Sequence, residues 1–257
     1  MTQTFDASPS SFVVSIPRST GKTASGNDIS PSSTLDLLPC PAPIPSPRRT
    51  SAQGNCHALC IRGQAVFSAG ASQLEEEGEV FVGHLGLGAE WGAAIVSPTP
   101  ITFPEGLSAV VEVAAGSLHS LLLSDSGGVW SMGAGWEGPL GHGDEASLGV
   151  PRLIASLAQV QIERIAAGRA HSLALSASGE VFSWGWGRHG QLGHGDTCSL
   201  HAPRRVEALT SLCVSSIYAE DDQSSARSDM VGTVPAPLLY AWGRAANGNI
   251  SMVPTLA

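Results

Sequence analysis

The 257-residue chain contains no apolar run approaching the ~20 residues a helix needs to cross a bilayer, and no membrane partner is expected. Charge is scarce, at 14% of residues, and 13 basic against 22 acidic side chains leave a formal charge of −9. That balance argues against a surface that neutralises nucleic-acid or lipid phosphates, so direct nucleic-acid binding is not expected. The N-terminus lacks a secretory apolar core. Five cysteines, an odd number, with no second pair at zinc spacing, point to reduced thiols in an intracellular protein, cytoplasmic or nuclear. A Gly-x-Ser-x-Gly elbow and a supported acid–base pair are both missing, so catalysis and cofactors are not expected. What is plentiful is glycine, 30 residues, beside 6 tryptophans and 2 tyrosines. Many short strands joined by tight turns would use such a composition, which points to an all-β class.

Residues 1–53 hold 8 of the 17 prolines and 11 serines, ending in PCPAPIPSPRRTS from Pro39 to Ser51. Such a segment buries too little apolar surface to offset its ordering entropy, so a disordered Pro/Ser-rich tail is expected there. Residues 54–257 form the second unit.

In that unit the sequence repeats. AAGSLHSLLLSDSGGVWSMG, Ala114 to Gly133, matches AAGRAHSLALSASGEVFSWG, Ala166 to Gly185, at an offset of 52 residues. The offset joins Gly116 to Gly168, His119 to His171, Gly133 to Gly185 and Gly141 to Gly193. An earlier copy, GNCHALCIRGQAVFSAG, runs from Gly54 to Gly70, and a degraded fourth copy puts Glu220 and Gln223 where glycine and histidine are expected. In the third copy the short runs SLALS and EVFSW are separated by SASG, a Ser/Gly turn, and the pair reads as a hairpin. About four strands for every ~50 residues is the pattern of propeller blades. The fold expected is therefore a partial β-propeller of four-stranded blades, three clear and one degenerate.

FSWGWGRHGQLGHGD, Phe182 to Asp196, has the glycines of a phosphate loop, but no helical period follows it. Its recurrence favours a structural role, with Gly185, Gly190 and Gly193 allowing tight bends and Trp184 filling the space between sheets. His57, His119 and His171 share one repeat position and are expected to bond backbone groups within their own blades. His142 and His194 stand where the first copy has Leu87, which excludes a ligand position and leaves packing or a solvated turn. The insertion SQLEEEGEV, Ser72 to Val80, is read as an acidic loop whose Glu75, Glu76, Glu77 and Glu79 are the candidate contacts for a partner.

GRAHSLALSASGEVFSWGWGRHGQLGHGD, Gly168 to Asp196, resembles throughout the repeat of the regulator of chromosome condensation family. The resemblance implies a propeller that serves as a non-catalytic protein-interaction scaffold, with guanine-nucleotide exchange on a Ran-like or related small GTPase as the alternative. Family propellers typically have seven blades. The roughly 200 residues after the tail cannot supply them at ~50 residues each, so an incomplete ring is expected, with open blade edges that could self-associate. Ser117 and Arg169 occupy the place of the tryptophan used by ultraviolet-sensing members, which disfavours photoreception.

Overall fold

The structure, a computed structural model, describes residues 48–70, 73–76, 79–82, 85–88, 95–107, 109–210, 212–231, 234–244 and 249–253. The expected tail falls outside these up to residue 47. Four antiparallel four-stranded sheets follow one another. The first blade is β1 (Ser51–Gln53), β2 (His57–Arg62), β3 (Ala65–Gly70) and β6 (Ile95–Pro100), and a separate hairpin, β4 (Gln73–Glu76) and β5 (Glu79–Val82), lies between its third and fourth strands. The second comprises β7 (Val110–Ala115), β8 (His119–Ser124), β9 (Val129–Gly133) and β10 (Leu148–Leu153). The third comprises β11 (Ile162–Ala167), β12 (His171–Ser176), β13 (Val181–Gly185) and β14 (Leu200–Arg205). The fourth comprises β15 (Cys213–Glu220), β16 (Gln223–Val231), β17 (Val234–Gly243) and β18 (Ser251–Val253). Among the described residues there is no α-helix, only 3-10 turns at Ala155–Leu157 and Glu207–Leu209.

The second strands show why the sequence takes this form. All six residues of HSLLLS and of HSLALS are buried, because each sheet is covered on both faces by its neighbours. The turn that follows is closed by a serine hydroxyl. Ser176 Oγ accepts the Glu180 amide at 3.0 Å and Ser124 Oγ accepts the Gly128 amide at 2.9 Å. Outermost strands β10 and β14 carry Pro151 and Pro203, residues that an edge tolerates and a central strand does not.

The core is divided into three clusters, one for each junction between blades. Leu59, Val66, Val113, Leu122 and Met132 fill the first. Leu121, Leu123, Ile154, Ile165 and Trp184 fill the second, and Leu173, Leu175, Val214, Ile217 and Trp242 the third. Each blade therefore supplies half of an interface, which is why the sheets stack in order.

Two expectations change, the extent of the tail and the state of one thiol. Ser51–Gln53, assigned to the tail, pairs with β2 as the first strand of the first blade, since backbone pairing can order a stretch whose side chains carry no pattern. The fourth copy is degraded in sequence yet forms a full meander, because its buried positions keep Ile217, Ala226 and Trp242. Cys213, half-buried at the start of β15, is disulfide-bonded, against the reading of all thiols as reduced. Cys56, Cys60 and Cys198 are free.

Candidate functional site

The repeated histidines open the second strands and reach into the next blade. His57 Nε2 lies 2.7 Å from Ser120 Oγ, His119 Nε2 3.0 Å from Ser172 Oγ, and His171 Nε2 2.9 Å from Ser224 Oγ. The partner is thus a side chain of the following blade rather than a backbone group of the histidine's own blade, because the burial of both strands brings the facing side chains together. Ser172 Oγ donates to the Pro139 carbonyl at 2.9 Å and Ser224 Oγ to the Gln191 carbonyl at 2.8 Å. Each hydroxyl has one proton to give, so the histidine must donate from Nε2–H. Burial holds the two imidazoles low, His119 at about 4 and His171 at about 3, and both are neutral at ordinary pH.

Trp184 sits opposite Ser172 across β12 and β13, and Trp242 opposite Ser224 across β16 and β17. The side chains of each pair share a face, and both reach one carbonyl. Trp184 Nε1 donates to Pro139 O at 2.8 Å and Trp242 Nε1 to Gln191 O at 2.8 Å. A Cβ on Gly141 would lie 2.8 Å from Trp184 Nε1, and one on Gly193 2.9 Å from Trp242 Nε1. Both glycines have left-handed φ, +79° and +75°, so space and backbone each require them there. The glycines and the tryptophan of a single stretch therefore serve different junctions: Trp184 faces backwards to the second blade, and Gly193 forwards to the fourth.

The other repeat residues take related places. Gly116 and Gly168 lie against the rings of His119 and His171 and donate their amides to those histidines' carbonyls at 2.9 Å. Gly133 and Gly185 end the third strands against the loops that precede His119 and His171. Gly190 closes the loop with amide bonds to Gly187 O, 2.7 Å, and from Gly193, 3.0 Å. His142 and His194, half-buried, lie 2.8 Å and 2.9 Å from Ser131 and Ser183, whose hydroxyls donate to Leu140 O and Leu192 O. Burial pushes both imidazoles down, His142 to about 4.

In a four-stranded meander the loops after the first and third strands emerge at the same end. That end is continuous here. Ser117 donates its amide to Arg169 O at 3.0 Å, and Arg169 to Asp221 O at 2.8 Å, so successive loops are tied across blades. The two described non-glycine residues with positive φ, Glu137 at 61° and Asp221 at 44°, both lie here. So does a cleft of about 340 Å³, walled by residues of all four blades, among them Asn55, Trp136, Arg169, Asp222 and Arg244.

The cleft has unusual polar chemistry. Asp222 is 4% exposed, and its Oδ1 has no hydrogen-bond partner among the described residues. Among the described residues its Oδ2 has only long ionic contacts, 3.6 Å to Arg244 and 3.8 Å to His189. Trp136 is 58% exposed, the most open large apolar side chain among the described residues. Arg169 lies 5.9 Å over the Trp186 ring. Sequence reasoning missed Ser120, Ser172 and Ser224, although they too recur at an offset of 52. It also missed Asp222 and Trp136, which occur once and leave no periodic signal.

The acidic insertion is a hairpin with Glu75 opposite Val80 and Glu76 opposite Glu79; Glu77 lies outside the described residues. Because it joins a third strand to a fourth, it springs from the same end as the cleft. Among the described residues no group of three histidine, cysteine or acidic side chains could hold a metal, and no helix is long and apolar enough to cross a membrane.

Four-stranded sheets in tandem, each stapled to the next by histidine, serine and a wedge residue, define a β-propeller repeat protein. More particularly, the chain belongs to the family of regulator of chromosome condensation (RCC1) repeats, whose profiles match residues 126–175 and 178–226, and 110–135 and 162–191. It is 34% identical over 168 residues to the human E3 ubiquitin-protein ligase HERC2, covering 65% of this chain and 3% of that protein. It is 37% identical over 147 residues to the ultraviolet-B receptor UVR8 of Arabidopsis thaliana, covering 57% of this chain and 32% of the receptor. To the RCC1 domain-containing mitochondrial protein RUG3 of the same plant it is 31% identical over 213 residues, covering 77% and 45%. The chain thus spans less than half of each of these relatives. Among solved structures, human WBSCR16 superposes with a TM-score of 0.65 at 23% identity, covering 79% of this chain and 53% of that one. Saccharomyces cerevisiae Prp20p, described with its binding to Gsp1p and histones, gives 0.57 at 23% identity, covering 66% and 41%.

Proposed function

We propose that this chain is a non-catalytic protein-interaction scaffold, acting in the cytoplasm or nucleus, whose loop end receives the partner. The supporting observation is the exposed Trp136 on the wall of a cleft to which all four blades contribute. An exposed aromatic beside a concave, backbone-tied surface is the usual anchor of a protein interface. Affinity capture from a cell lysate with the wild type and with the double variant Trp136→Ala, Arg169→Glu tests it. The double variant is expected to lose bound protein while keeping its fold. Identical capture by both proteins would remove the loop end from the interface.

A second reading, guanine-nucleotide exchange on a Ran-like small GTPase, draws support from the β4–β5 hairpin, which emerges at the same end and carries Glu75, Glu76 and Glu79. Release of labelled GDP from such a GTPase should accelerate with the wild type and not with a chain lacking residues 73–82. No acceleration by the wild type ends that reading. Self-association through the outer blades would proceed without the staple, since Ala58 holds the serine position in the first blade and Gln223 the histidine position in the fourth. Light scattering that gives a monomer mass at micromolar concentration would exclude it.

A further inference from the structure

We propose that the cleft is a receptor for one basic side chain, arginine or lysine, of a partner protein, paired with Asp222 and lying against Trp136. The inference rests on the scaffold reading and adds the chemistry of what is bound. A carboxylate as buried as Asp222 ordinarily holds hydrogen bonds, because stripping its water is otherwise uncompensated. Asp222 has none among the described residues: one oxygen is unpartnered, and the other has ionic contacts of 3.6 Å and 3.8 Å, beyond hydrogen-bond length. Both contacts come from side chains with open ends, Arg244 at 70% and His189 at 36% exposure. Such arms can swing away when a better donor arrives.

The remaining features select among ligands. An anion alone could pair with Arg169 or Arg244 but would supply no donor to Asp222, and a metal ion would lack a third ligand among the described residues. A guanidinium or ammonium suits both the carboxylate and the exposed indole of Trp136, whose face attracts cations. The volume, about 340 Å³, holds a long side chain with a little flanking backbone. Arg169 has no carboxylate partner among the described residues, so an acidic residue beside the basic one would add a second ion pair.

The probe is an acetylated, amidated Gly-Arg-Glu-Gly peptide, with a control in which neutral citrulline replaces arginine. Binding is followed by the indole N–H resonance of Trp136 in the full chain. A saturable shift in the ~1 mM range is expected for a single anchored side chain. Asp222→Asn, which keeps the shape and removes the charge, should weaken it about tenfold, and the citrulline peptide should not bind. Equal binding of the citrulline peptide, undiminished binding by Asp222→Asn, or no saturable shift in the wild type overturns the inference. If Asp222→Asn loses its fold, Trp136→Ala, a surface change followed by calorimetry, takes its place, and retained arginine-peptide binding then counts against the proposal. Partner capture that fails with Trp136→Ala, Arg169→Glu but persists with Asp222→Asn would overturn this inference alone, leaving the scaffold reading intact.

Discussion

Between the first and second blades Met132 fills the position that Trp184 takes at the second junction and Trp242 at the third. Like each tryptophan, it lies opposite the serine of the staple, Ser120, and beneath a left-handed glycine of the preceding blade, here Gly86 at φ +69°. The histidine–serine bond is present at all three junctions. What the thioether lacks is the indole N–H that saturates a carbonyl at the other two. The junction therefore requires an apolar wedge and a polar staple, and the indole adds area and a second lock to that minimum.

The sharpest break of this comparison is truncation of the wedge. Trp184→Ala should cost about 3–5 kcal/mol, because it leaves a cavity and an unpaired share of the Pro139 carbonyl, whereas Met132→Ala should cost about 2–3 kcal/mol. Urea denaturation midpoints measure both, and equal losses would mean that neither the larger area of the indole nor its N–H adds to the junction. Next in size is the seat beneath the wedge. Gly193→Ala combines a left-handed φ with a collision against Trp242, for about 2–3 kcal/mol. Gly195→Ala has φ +81° and open space, so about 1 kcal/mol of backbone strain is all it should show in the same assay.

The staple can be probed through pH. The folded state refuses the proton that an unfolded histidine accepts below 6.5, because burial holds His119 at about 4 and His171 at about 3. Their contribution to stability is full above pH 6.5 and declines as pH falls towards 4 for His119 and towards 3 for His171. His171→Gln, which copies the residue of the fourth blade, should lower stability at pH 7 and flatten that acid limb in thermal melts. An unchanged acid limb would place the titration elsewhere. The smallest effect belongs to the loop end: Trp136→Ala should alter stability by no more than ~0.5 kcal/mol by calorimetry, since the ring contributes to a surface and not to a junction.

How much was readable beforehand varies with periodicity. A hairpin with buried strands follows from SLALS, a Ser/Gly turn and EVFSW, and the offset of 52 residues makes stacking blades the natural outcome. The histidines were visible for the same reason. Their partners were misplaced, because a period shows that a residue recurs without showing which neighbour it faces. β1 was hidden in a Pro/Ser-rich composition, since its order comes from pairing with β2. The acidic insertion was recognisable by its length and charge, but not as a hairpin.

The sequence alone determined that this chain builds repeated sheets, which residues recur in them, and where one copy departs from another, because a repeat writes the same packing requirement several times along the chain. The tertiary structure decided which groups meet between copies: histidine with the serine ahead, tryptophan with the carbonyl behind, and a buried Asp222 with an exposed Trp136 in a single cleft. The physical reason is distance along the chain. Those contacts join residues about fifty positions apart or lie on non-repeating loops, and only the stacking of whole blades brings them within reach of a hydrogen bond.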